Sequence, residues 1–81
     1  MRLDKYLKVS RIIKRRTVAN EACDTERVSV NGRPAKASYD VKEGDVIEIT
    51  FGQRALKIKV LTVKDNVAKA DAASTYEVIE D

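Results

Sequence analysis

The sequence has no histidine and no tryptophan, one cysteine, one proline, one phenylalanine and three glycines in 81 residues. Each scarcity removes a class of chemistry. Without histidine, no mixed histidine and cysteine zinc site can be assembled, and no imidazole can activate a nucleophile. Cys23 stands alone, so an intrachain disulfide is impossible and the expected role of its thiol is that of a small core residue. The glycines each sit at an expected turn rather than in a phosphate-cradling loop, and no carboxylate pair falls on an expected concave surface. No catalytic residue, metal site or cofactor is therefore expected, and the chain is not read as an enzyme. Long apolar runs are missing as well: no stretch approaches the roughly 18 residues of a membrane span, and the N-terminus lacks the apolar core of a signal peptide. A cytoplasmic location without membrane contact is the expectation.

What is abundant is charge, and it is unevenly spread. Cations recur at every third position from Arg2 through Lys5, Lys8 and Arg11 to Lys14, and Arg15 and Arg16 follow directly. Against Asp4 as the single acid, residues 1–16 carry a net +6, whereas the other 65 residues hold nine basic and twelve acidic side chains, a net −3. Crowded like charges repel and lose rotamer freedom when held in place, so folding alone disfavours them. A solvated helix face is the bland explanation of such a run. The concentration favours instead one positive face that meets a polyanion, with RNA the leading candidate.

Eighty-one residues support one modest core, so residues 1–81 are read as a single domain without repeats or linkers. Leu3, Leu7 and Ser10 share a helical face with Tyr6 beside them, but Ile12 and Ile13 fall away from it, which ends the first helix near Ser10. A turn at 11–14 then lets cations converge from two elements instead of fanning around one helix. A second helix over about 15–24 places Val18, Ala19, Ala22 and Cys23 on an apolar arc and Asn20, Glu21 and Asp24 in water. Lys14, Arg15 and Arg16 crowd its N-terminus, where the helix dipole favours anions, and a bound phosphate would reconcile the two.

Strands follow. Val28 and Val30 precede the tight-turn pair Asn31-Gly32, and Pro34 marks an edge strand or bulge. After a turn at Gly44, Ile47, Ile49 and Phe51 face one way; Leu56, Ile58 and Val60 then alternate inward with Lys57 and Lys59 outward. Those lysines need no role beyond protecting an exposed strand from aggregation. Residues 64–75 read as a turn and one short helix, and 76–80 as a last edge strand. The fold class is α+β, two N-terminal helices packed on a small, mostly antiparallel sheet.

The stretches RLDKYL at 2–7, KRRTVA at 14–19, RVSVNG at 27–32 and VKEGDVIEI at 41–49 resemble, in order, the signature blocks of the S4 RNA-binding domain family. The resemblance spans about residues 1–50, the S4 (αL-like) motif, leaving 51–81 as additional strands and a tail. The near absence of other sequence, the VSRIIKRR stretch and a tail with Ala72, Ala73 and Tyr76 are similar to the stand-alone, RqcP-like members of that family. One departure stands out: many members have glycine just before the RVSVNG block, where this chain has Glu26, and a left-handed closing residue there strains a glutamate.

The resemblance implies a protein of ribosome-associated quality control. It would bind 23S rRNA of the large ribosomal subunit and peptidyl-tRNA, and support C-terminal alanine tailing of stalled chains with an RqcH-type tailing factor, as a monomer. Arg2, Arg11 and Arg16 would face RNA, with Lys5, Lys8, Lys14 and Arg15 in support. Arg2 and Arg16 are expected to contribute little to native stability, and Asp4 to support the first helical turn or orient an arginine. Tyr39 suits either stacking on a base or covering the core. A ribosome-assembly or small-subunit RNA-binding protein, and an adaptor that recruits a protein partner, remain as alternatives.

Overall fold

The computed structural model describes residues 1–65 and 67–79. The first helix, α1 (Leu3–Val9), buries Leu3, Tyr6 and Leu7, three positions that one helical face brings together. Its early N–H groups are all occupied: Leu3 donates to the carbonyl of Tyr39 at 2.8 Å, Asp4 to that of Ala37 at 3.2 Å, and Lys5 to the Asp4 carboxylate at 2.8 Å. The helix stops after Ser10 because Arg11 turns left-handed at φ 61°, with its N–H on the Lys8 carbonyl. Ile13 anchors the following turn in the core, and its N–H takes the Leu7 carbonyl at 3.1 Å.

Helix α2 (Arg16–Asp24) packs against α1 through Ala19 and Cys23, small side chains that permit close approach. Val18, expected on the buried arc, is half exposed. A nine-residue helix of small side chains covers only a narrow stripe, and Val18 lies at its margin, in a surface cleft shared with Ile13 and Phe51. Asn20, expected in water, is partly buried and bonded to Asp4. At the far end Glu26 does adopt φ 60°: its N–H bonds the Cys23 carbonyl and the Arg27 N–H the Ala22 carbonyl, a Schellman closure built on a glutamate.

Five antiparallel strands form one sheet in the order β2-β1-β3-β4-β5: β1 Val28–Val30, β2 Arg33–Pro34, β3 Val46–Phe51, β4 Arg54–Val60 and β5 Tyr76–Val78. Asn31 and Gly32, at φ 53° and 83°, make the hairpin turn that the Asn-Gly pair announces, and Pro34 lies on an edge strand, where its missing N–H removes no ladder bond from the sheet interior. Val28, Val30, Ile47, Ile49, Ile58 and Val60 supply the sheet's side of the core. Phe51 breaks the expected alternation and is half exposed, because it pairs with Arg54 at the β3–β4 hairpin end, past the buried stretch of the strand.

A 3-10 helix (Lys69–Thr75) precedes β5, and the buried Tyr6 hydroxyl reaches from α1 to the Thr75 carbonyl at 2.9 Å. The expected last strand at 76–80 is an edge strand through Val78; Glu80 lies outside the described residues. No helix among the described residues is long and apolar enough to cross a membrane.

Candidate nucleic-acid interface

Asp4 organises the surface where the two helices meet. Its carboxylate is buried, yet it accepts from Arg2 Nε at 3.2 Å and Arg2 Nη2 at 3.4 Å, from Arg16 Nε at 3.4 Å, and from the Asn20 amide at 3.3 Å, besides the Lys5 N–H. Burial on its own pushes the Asp4 pKa up. The bonds from Asn20, Arg16, Arg2 and the Lys5 N–H outweigh it and hold the carboxyl below its ordinary range, as an anion.

This anion fixes guanidiniums from two elements onto one surface, and both stay half exposed. Arg16 commits only Nε to Asp4, so its two terminal nitrogens keep the paired geometry that matches a phosphate. A small cleft of about 320 Å³ opens beside them, lined by Asp4, Arg16, Thr17 and Asn20. Helix α2 starts there without a side-chain cap and without an acid in its first turn, an end that suits an anion.

The expected pairing of Asp4 with an arginine is therefore present, and doubled. The expectation that Arg2 and Arg16 matter little to stability is corrected, because each neutralises a buried carboxylate. Nor can α1 offer free N–H groups, since chain carbonyls and Asp4 occupy them.

The remaining cations divide. Lys8, Arg11 and Lys14, three of the five cations of the three-residue repeat, line one open groove of about 770 Å³. Its other wall comes from Asp65, Val67 and Lys69. Lys5 reaches Asp65 at 3.3 Å and so ties α1 to that wall. Arg15 is exposed and lines neither cleft. Lys69 and Asn20 were missed in the sequence: Lys69 is distant along the chain, and Asn20 shows its role only once α2 lies against α1.

Cys23 is buried, and burial, helped by the charges of Asp4 and Asp24, raises its pKa to about 11, which leaves it an inert core thiol. Among the described residues no group of histidine, cysteine or carboxylate side chains is placed to hold a metal ion.

Two short helices that present cations beside a five-stranded antiparallel sheet define the class, a small S4-type fold. The S4 domain family model matches residues 1–47, more than half the chain. The chain belongs to the S4 domain family and, within it, groups with the RQC P-site tRNA stabilizing factors. The factor of that name from Streptococcus pneumoniae is 59% identical over 81 residues, covering 100% of this chain and 92% of that protein. The Bacillus subtilis one is 51% identical over 81 residues, covering 100% and 94%. Among solved structures, the trimeric Vibrio cholerae heat shock protein 15 superposes with a TM-score of 0.90 at 29% identity, covering 98% of this chain and 81% of that one.

Proposed function

We propose that this chain binds obstructed large ribosomal subunits, contacts 23S rRNA and peptidyl-tRNA together, and supports C-terminal alanine tailing of the stalled chain alongside an RqcH-type factor. The observation that carries the reading is the Asp4 anchor, which holds Arg2, just before α1, and Arg16, at the start of α2, on one surface with both side chains half exposed. The names of the relatives from Streptococcus pneumoniae and Bacillus subtilis supply P-site tRNA and quality control.

The action is positional rather than catalytic. Phosphates meet Arg2, Arg11 and Arg16 first, with Lys5, Lys8, Lys14 and Arg15 adding charge around them. Folded RNA is read by shape, since the deep groove of an A-form duplex offers side chains little sequence. Simultaneous contact with two RNAs raises affinity without new chemistry, because the second contact forms at high effective concentration. The protein acts as a cytoplasmic monomer. Residues 1–50 form the binding motif of one domain, and 51–81 complete its sheet and tail.

Sedimentation with RNA extraction tests this. Co-migration with large subunits that carry peptidyl-tRNA is the expected result. Association with free small subunits contradicts it in favour of an assembly role, and nuclease-insensitive capture of a single protein contradicts it in favour of an adaptor.

A further inference from the structure

A second cationic concavity lies outside the helical surface. It measures about 690 Å³ and is lined by Val30, Asn31, Arg33, Pro34, Lys36 and Tyr39 among others. The hairpin turn at Asn31-Gly32 and the short edge strand β2 form one side, and the segment leading to Tyr39 forms the other.

Tyr39 is fixed at both ends. Its backbone N–H bonds the Lys36 carbonyl at 3.0 Å, its carbonyl accepts from Leu3 at 2.8 Å, and its hydroxyl donates to Asp45 at 2.9 Å. Asp45 also takes the Asn31 amide at 3.2 Å and the Lys42 N–H at 3.0 Å, so its charge is well occupied. The bond to Asp45, aided by burial, raises the Tyr39 pKa and keeps the phenol a donor. The neighbouring Asp40 is neutralised by the Met1 ammonium at 2.7 Å.

Arg33 and Lys36 are exposed, and neither side chain has an ion pair or hydrogen bond among the described residues. The patch thus combines a partly exposed, rigid aromatic ring with two uncommitted cations, while both nearby acids are already engaged. The pairing of Arg2 with Asp40 and the bond from Leu3 to Tyr39 set this segment beside the start of α1, so it adjoins the Arg2 end of the helical surface.

We infer that the groove between Arg33, Lys36 and Tyr39 is a second RNA site, which takes one unstacked nucleotide with its phosphates on the two cations and its base against the Tyr39 ring. The inference rests on the RNA-binding reading above. A ring selects a nucleobase by its π-face, tolerates any sequence and costs little to order because it is already held. Phosphates on Arg33 and Lys36 add a salt-sensitive contribution. An acidic protein segment would meet the same two cations but would have no use for the ring.

The test uses the full chain and large subunits that carry peptidyl-tRNA. The double variant Arg33→Ala/Lys36→Ala alters only exposed, unpartnered side chains, so it should fold normally. Two lost phosphate contacts on a single strand should flatten the log–log salt slope by about 1.4 and weaken binding severalfold. Tyr39→Leu should weaken binding roughly tenfold, whereas Tyr39→Phe, which keeps the ring and loses the Asp45 bond, should restore most of it. Ultraviolet cross-linking should join RNA to the tryptic peptide ASYDVK, residues 37–42. Parental affinity and slope in the double variant, with Arg16→Ala defective in the same assay, overturns the second site and leaves the helical one standing. Parental binding by Arg16→Ala as well strikes the RNA-binding reading itself.

Discussion

Replacing Asp4 by asparagine keeps the shape of the side chain, removes its charge, and turns an amide donor toward a cluster of donors. Breaking a buried ion pair by deleting one partner costs about 3–5 kcal/mol when both charges are dry. Here the Arg2 and Arg16 side chains are 52% and 46% exposed, so water reclaims the guanidiniums and the cost is lower. Two charge-assisted bonds weakened in this setting give about 2–3 kcal/mol. For a chain of this size that is a fall in Tm of roughly 10–20 °C, read by circular dichroism.

The pH dependence separates the charge from the packing. The folded Asp4 carboxyl sits below its ordinary 3.8, so its contribution is fully present above that unfolded value and is lost as pH falls through the folded one. The stability gap between parent and Asp4→Asn should be constant near neutrality and close in acid below 3.8. A gap that persists unchanged into acid, or no gap at neutral pH, refutes the anchor.

Further predictions concern the helices. Arg16→Ala should lower stability by about 1 kcal/mol through the lost Asp4 bond, yet remove stable ribosome association, with Arg16→Lys restoring only part because a point charge lacks the guanidinium fork. Retained association in the alanine variant excludes Arg16 from the interface. Glu26→Gly should stabilise the fold by about 0.5–1 kcal/mol, since a left-handed glutamate is relieved while glycine adds unfolded-state entropy. Denaturant titration decides, and a loss of stability contradicts a left-handed closure.

How much the sequence discloses depends on the range of each contact. The helix break after Ser10, the Asn31-Gly32 hairpin and the edge position of Pro34 are local events, written in spacing and turn chemistry, and all three are present, whereas the sequence leaves the turn at Glu26 open and the fold shows it left-handed. Phe51 and Val18 misled because periodicity gives the direction of a side chain but not where the covering layer ends. The repeat of cations marked the surface, while the Asp4 to Asn20 bond and the Lys69 wall depend on packing between elements far apart in the chain. Sequence thus located the charges; their fixing by one buried carboxylate became visible only in the fold.

The central claim is that these N-terminal cations grip RNA through its phosphates. The direct measurement is affinity for large subunits that carry peptidyl-tRNA across a series of monovalent salt concentrations. With about six phosphates engaged, the log–log slope should be roughly −4 to −5, and it should survive neutralisation of Arg54, Lys57, Lys59 and Lys64 together. A slope near zero, or loss of most affinity on neutralising those four, contradicts the account.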